Sequence, residues 1–334
     1  MQPRHSLSVE HALSRLRLDR RRLVSEEARI GRPRVLTGSH RLPRVVGWLL
    51  AYTVVVILWG AFVRATGSGA GCGSHWPLCN GEVIPREPRL DTLIELGHRI
   101  TSGLLGLFVL GVVVAVFRAF PPKHPARQAV GWSLFFVVTE ALIGAGLVRF
   151  EWVGANDSEA RVYMMALHLT NTFLLLAAIT MTVWWIGGNR ALPQSSSRIA
   201  LLSATLVAVL VVGASGAVTA LGDTLLLQAG VSPDESPVLT SLIRARSYHP
   251  TLAIAGFFVV VVAVWLVGSN RYGRLAVGVF ALQLALGAVN VKLMAPVWMQ
   301  LLHLGASNVL WILLVLFVSE AVSARDVASA EVGG

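Results

Sequence analysis

Four of the nine histidines in this chain sit near one end of long apolar segments, and they recur as a pair. His98 and His168 belong to the first half of the apolar region, His249 and His303 to the second. Each opens a hydrophobic run: His98-Arg-Ile-Thr, His168-Leu-Thr-Asn, His249-Pro-Thr-Leu and His303-Leu-Gly-Ala. The other five (His5, His11, His40, His75 and His124) lie in a polar tail or in loops. An imidazole at membrane depth is costly without a partner, and haem iron is a partner that takes two at once. One such histidine reads as an interfacial polar residue. Four of them, paired and at similar depth, read as two bis-histidine haem sites.

Further chemistry-bearing residues cluster near the first pair. Glu95-Leu-Gly-His98 puts a carboxylate three residues before an imidazole, on one helix face. There it can orient the ring, take a proton or stabilise positive charge; its plain alternative is an interfacial glutamate facing water. The second half has Arg246 three residues before His249 instead, an asymmetry that suggests one reactive site and one cofactor site. Before Glu95 runs Arg64-Ala-Thr-Gly-Ser-Gly-Ala-Gly-Cys72-Gly-Ser-His-Trp-Pro-Leu-Cys79, which holds the only two cysteines. Their spacing allows a disulfide in an oxidising compartment, as a structural staple or in a redox role. A zinc site built on them and His75 lacks a clear fourth ligand. Glu140 falls near the middle of an apolar segment, where it faces the bundle interior or is protonated, as a proton path or an interhelical hydrogen bond. Arg64, Arg149 and Lys292 near helix ends suit haem propionates or interfacial snorkelling.

The elements that must position these residues are membrane helices. Of the 334 residues only 14% are charged, and the mean hydropathy is +0.66. A soluble domain of this size cannot hide that much apolar surface. Eight spans are expected, near residues 46–64, 98–119, 130–148, 164–186, 199–220, 249–267, 275–291 and 299–322, each close to the roughly 20 residues that cross a bilayer. The net charge of +10 does not indicate nucleic acid, because its distribution follows the positive-inside rule. Eleven arginines precede the first span, and placing them in the cytoplasm puts nineteen of the 28 basic residues inside. Both termini are then cytoplasmic. The tail reads as a topology anchor, with anionic-lipid binding as the alternative. No cleavable signal is evident.

The organisation expected is a cytoplasmic Arg-rich tail (1–45), a first four-helix half (46–186), a cytoplasmic linker (187–198), a second four-helix half (199–322) and a cytoplasmic tail (323–334). The halves echo one another in order. Glu140-Ala-Leu-Ile-Gly144-Ala answers Gln283-Leu-Ala-Leu-Gly287-Ala, Leu167-His168-Leu169 answers Leu302-His303-Leu304, and Gly60-Ala61 answers Gly213-Ala214. Such agreement marks an internal duplication. An even number of spans per unit gives both halves one orientation, related by a pseudo-two-fold axis along the membrane normal. The expected fold is therefore an all-α integral membrane protein, eight transmembrane helices in two pseudo-symmetric four-helix bundles.

Over residues 45–322 the chain resembles the haem A synthase family of bacterial cytoplasmic and mitochondrial inner membranes. The likeness rests on the Thr-Gly-Ser-Gly…Cys72…Trp-Pro-Leu-Cys79 loop, Glu95-x-x-His98 and the histidine placement across the halves. It implies conversion of haem O to haem A, a ring methyl being oxidised to a formyl group by successive hydroxylations. It further implies that His98 and His168 hold the substrate haem beside Glu95 as catalytic carboxylate. His249 and His303 would then ligate a haem b that passes electrons on, and Cys72–Cys79 would match the family's loop disulfide. Implied partners are the lipid bilayer, haem O, the enzyme that makes it, and the assembly route of haem-copper oxidase, in a bacterial cytoplasmic membrane. His75 inside the cysteine loop, Glu140 opposite Gln283, the cysteine-free second-half loop and the long basic tail are departures from the family pattern.

Two rivals accommodate the same histidines. A di-haem cytochrome b linked to quinol explains all four but neither the cysteine loop nor the one-sided Glu95. A membrane haem transporter or chaperone would release haem unchanged.

Overall fold

Helix starts in this chain carry their caps in the sequence. In the computed structural model, which describes residues 41–325, α1 spans Arg41–Ala65, α2 Leu90–Ala119, α3 Pro125–Arg149 and α4 Glu159–Ile186. The second half holds α5 (Ser196–Leu227), a short α6 (Pro237–Ala245), α7 (Tyr248–Val267), α8 (Arg271–Lys292) and α9 (Val297–Ala321). Side chains of Ser158, Ser195, Ser236 and Asn270 accept backbone N–H bonds from the first turns of α4, α5, α6 and α8. Pro125 and Pro237 open α3 and α6, where a missing N–H costs nothing. Residues 1–40 and 326–334, with the tail readings that rest on them, lie outside the described residues.

Eight helices are long and apolar enough to cross a membrane, α6 and α7 counting as one span. The described residues are thus mostly helical, with eight candidate spans, as the hydropathy requires. The helices run longer than the apolar windows. α2 begins eight residues before His98, α4 nine before His168 and α9 six before His303. These histidines therefore do not open their helices. They sit about 9–13 Å along the axes at 1.5 Å per residue. Polar first turns with Asp91 and Glu159 carry α2 and α4 beyond the apolar stretch that marked them in the sequence.

Each half has its own apolar core. Val46, Leu49 and Val56 of α1 pack with Leu105, Val109, Val112 and Val116 of α2, Val130 and Val137 of α3, and Leu175 and Ile179 of α4. In the second half, Leu202 and Val209 of α5 meet Val260 and Val264 of α7, Phe280 of α8, and Leu310, Trp311 and Leu314 of α9. α4 belongs to both, since Phe173 and Leu176 join the second core. The Trp311 indole N–H donates to the Phe173 carbonyl at 2.6 Å, and the two rings stack 5.4 Å apart.

Two small elements lie outside the expected scheme. The linker carries a strand, Asn189–Ala191, paired antiparallel with Ser323–Arg325 after the last helix. Helix α6 fills the second-half loop before His249. Its Leu239 and Leu242, three apart on one face, bury against Leu221 and Leu225 of α5.

Candidate haem-binding sites

The four histidines converge in two pairs, one per half. His98 of α2 lies within electrostatic reach of His168 of α4 and of Glu140 of α3. Its ring packs on Gly60 of α1 so closely that a Cβ there would stand 2.9 Å from Cε1. His168 Nδ1 stands 3.0 Å from Glu140 Oε1, an ion-pair distance, with its N–H not aligned on that oxygen. The buried Nδ1 atoms of both His98 and His168 are left without hydrogen-bond partners.

In the second half the rings of His249 and His303 have centroids 6.5 Å apart and planes at 85°. His249 and His303 would hold a haem iron between them, one from each of α7 and α9. Ser215 Oγ holds His249 Nδ1 at 2.9 Å, which leaves Nε2 free to face a metal. His303 Nδ1 is buried without a partner, and its Nε2 is 3.1 Å from Gln283 Nε2. That amide has two hydrogens, and the His303 carbonyl (3.0 Å) and Ser307 Oγ (2.6 Å) account for them. His303 Nε2 is thus not needed by Gln283. Backbone room matches: a Cβ on Gly216 would meet His249 Cε1 at 3.0 Å, and one on Gly287 would meet His303 Cε1 at 3.3 Å. Unpartnered Nδ1 atoms on His98, His168 and His303, a free Nε2 on His249, and glycines at the rings of His98, His249 and His303 fit bis-histidine haem.

Glu95 does not face water. It is 3% exposed, and both oxygens are engaged. Cys72 N–H donates to Oε2 at 2.8 Å, and Arg99 donates to Oε1 from Nε (3.1 Å) and Nη2 (2.5 Å). Arg99 Nη1 also donates to the carbonyls of His75 and Leu78, both at 2.7 Å. Carboxylate, guanidinium and cysteine loop therefore form one unit at the start of α2. Cys72 and Cys79 are joined in a disulfide inside that loop. Gly71 seats the loop on α2, since a Cβ there would be 2.5 Å from the Asp91 backbone. The carboxylate nearest the first histidine pair is Glu140 instead, undecided from the sequence because periodicity along α3 does not say which neighbour it meets.

At the same end of the molecule, Arg64 ties the halves together. It donates to Ala220 O (2.7 Å), Thr224 Oγ1 (2.5 Å) and Gln300 Oε1 (2.9 Å), so its guanidinium is committed to helix ends. Arg149 reaches Ser74 O at 3.3 Å, and Lys292 is exposed. Arg246, the counterpart of Glu95 by position, pairs with the buried Asp223 at 3.1 Å. The sequence carried one usable signal for the glycine seats. Gly216 rather than Gly213 is the second-half equivalent of Gly60, because Gly213 abuts Phe173 while Gly216 abuts His249.

Fold and site together define a multi-pass helical membrane protein that presents two histidine pairs in its helix bundles. The chain belongs to the cytochrome oxidase assembly protein family (COX15-CtaA), whose family model matches residues 44–315. A Thermus thermophilus protein named Protoheme IX farnesyltransferase is 45% identical over 311 residues, 88% of this chain and 50% of that protein. Heme A synthase of Halalkalibacterium halodurans is 36% identical over 143 residues, 42% of this chain and 45% of the relative. Heme A synthase of Alkalihalophilus pseudofirmus is 37% identical over 128 residues, 38% and 40% of the two chains. The chain spans about half the length of the curated relatives it matches. The likeness to haem A synthases read from the cysteine loop and Glu95-x-x-His98 is borne out at the level of family.

Proposed function

We propose that the chain is a haem A synthase: a membrane oxidoreductase that converts a ring methyl of haem O to the formyl of haem A by successive hydroxylations. The observation that carries this reading is the pairing of four half-buried histidines, two per half, with the Glu140 carboxylate set against only the first pair. His98 and His168 would hold the substrate haem, and His249 and His303 a resident haem b. Bound haem supplies the redox chemistry that side chains lack. The protein's part is to hold both irons by imidazole, exclude water with the apolar cores, and fix a carboxylate near the substrate. Glu95, one turn from His98, is proposed as the catalytic carboxylate, held in place by Arg99 and the Cys72 N–H. Its release from Arg99 would be part of its action. We place the chain in a bacterial cytoplasmic membrane with both termini in the cytoplasm. The enzyme that makes haem O and the haem-copper oxidase assembly route are its proposed partners.

The name of the T. thermophilus relative favours a second reading, transfer of a farnesyl group to protohaem. One experiment separates them. The protein is co-expressed with a source of haem O, purified, and its extracted haems are chromatographed. Haem A or a hydroxylated intermediate, lost in Glu95→Ala while haem b stays, supports the synthase. Haem O formed from protohaem and farnesyl diphosphate by the purified chain supports the transferase. Haem b alone, unchanged by Glu95→Ala, overturns the synthase reading in favour of an electron-transfer cytochrome.

A further inference from the structure

The two halves place the same three positions around the fourth-helix histidine, with a carboxylate against Nδ1 in the first half and an amide beside Nε2 in the second. In the second half Gln283 of α8 donates to the His303 carbonyl and to Ser307 Oγ, and Ser307 in turn donates to the His303 carbonyl at 3.1 Å. In the first half Glu140 of α3 stands where Gln283 does, and Thr172, four residues after His168, stands where Ser307 does. Thr172 Oγ1 stands at hydrogen-bond distance from both Glu140 Oε1 and the His168 carbonyl (2.8 Å), with one proton to share between them, and Asn171 Nδ2 donates to Oε2 at 2.5 Å. Asn171 is itself held by Thr139 Oγ1 at 2.7 Å and by the Phe136 carbonyl at 3.0 Å. The amide nitrogen of Asn171 can face Glu140 only as a donor, which suits an ionised carboxylate. The remaining neighbour is His168 Nδ1, 3.0 Å from Oε1 and without another partner.

We propose that Glu140 is a positioning residue for iron ligation: it accepts the Nδ1–H of His168, turns Nε2 toward the haem, and makes this imidazole a stronger donor than any in the second half. The inference rests on the haem reading above and deepens it. A carboxylate behind a ligating histidine fixes the ring's tautomer and raises its basicity. A charge-assisted bond of this kind is about twice as strong as a neutral one. A more basic ligand with a negative charge behind it stabilises the ferric state over the ferrous. The second half offers no equivalent. The ring nitrogen that His249 turns away from the metal meets a neutral hydroxyl, and the residue beside His303 is an amide. The first-half haem should therefore have the lower reduction potential, because only there does a carboxylate stand behind a ligating ring at Nδ1.

The test is a redox titration of the full chain purified with its haems, followed by optical spectroscopy. The first-half haem is identified as the one lost in His168→Ala. Glu140→Gln, which copies the second half, should raise that midpoint by about a tenfold change in oxidised-to-reduced ratio, 59 mV for one electron. It should leave the other midpoint in place. Glu140→Asp, which keeps the charge but shortens the reach to Nδ1, should move the first-half midpoint part of the way, and provides the same test if Glu140→Gln binds haem poorly. Either haem-loaded variant with both midpoints unmoved overturns the inference while the haem reading stands. If His168→Ala leaves the haem content and spectrum unchanged, the ligand assignment itself falls, and this inference with it.

Discussion

Gly60→Ala adds one methyl group where the structure has no room for it. Its Cβ would lie 2.9 Å from Cε1 and 3.1 Å from Nε2 of His98, where ordinary van der Waals contact begins at 3.4 Å. One side must yield by half an ångström. Gly60 lies inside α1 and His98 inside α2, so neither backbone moves freely, and the ring takes most of the displacement. Overpacking of this size costs about 1–3 kcal/mol. Because an iron–imidazole geometry tolerates about 0.5 Å of misplacement, that cost falls on ligation. At 1.4 kcal/mol per decade it weakens first-half haem binding roughly 5- to 150-fold. Gly216→Ala should do the same to the second half, with its Cβ 3.0 Å from His249 Cε1. Gly106→Ala in α2 meets nothing within 4 Å and should keep both haems, gaining about 1 kcal/mol of helix propensity. The assay is haem per protein by reduced pyridine spectroscopy after washing with apomyoglobin as haem acceptor. Each seat glycine should lose one haem, a different one in each variant. Full retention of both haems in Gly60→Ala would refute the assignment of His98 as a ligand facing α1.

Two further perturbations probe the surroundings. Arg99→Ala leaves the buried Glu95 carboxylate unpaired and frees the carbonyls of His75 and Leu78, so we expect a loss of about 3–5 kcal/mol and rapid proteolysis of the cysteine loop. Arg99→Lys should recover only part of this in thermal unfolding, since an ammonium cannot serve Glu95 and both carbonyls in the same geometry. His124 caps α3 by accepting the Ala126 N–H at 3.2 Å, which only a neutral imidazole can do. Its burial lowers its pKa below the ordinary 6.5, so the cap is complete above that value and is lost as pH falls through the depressed folded value. His124→Asn, a cap that does not titrate there, should match the wild type at neutral pH and exceed it by about 1 kcal/mol in acid. Equal pH profiles in thermal unfolding would show that the cap is not the titrating element.

Much of the architecture was legible because the bilayer imposes it. Continuous apolar runs near twenty residues leave the backbone no alternative to helix in hydrocarbon, so composition and run length suffice for eight spans. The correspondence of Glu140 and His168 with Gln283 and His303 was readable in their order along the chain, although 28 residues separate the first two and 20 the second. Helix starts were not read correctly, because Asp91 and Glu159 occupy helical turns beyond the apolar stretch and hydropathy stops short of them. Helix α6 was missed because nine residues with two buried leucines give too short a periodicity to separate from a loop. The strand pair closing Asn189–Ala191 on Ser323–Arg325 links segments far apart in the chain, with no local signal for it.

The candidate site divides along the same line. The sequence by itself determined which residue types were available: four histidines in two matched pairs, two carboxylates at different heights, two cysteines in one loop. It also determined that Glu95 and His98 share a helix face, because the helical period does so. Only the tertiary structure decided who meets whom. Arg99, one turn further along, and the backbone of the folded cysteine loop claim both oxygens of Glu95. Glu140 on another helix stands against His168 instead. Periodicity specifies direction around one helix axis, but contact depends on the rotation and height of the neighbouring helix. Those are set by close packing, such as Gly60 on His98 and Gly216 on His249, where a hydrogen in place of a methyl group lets two helices approach.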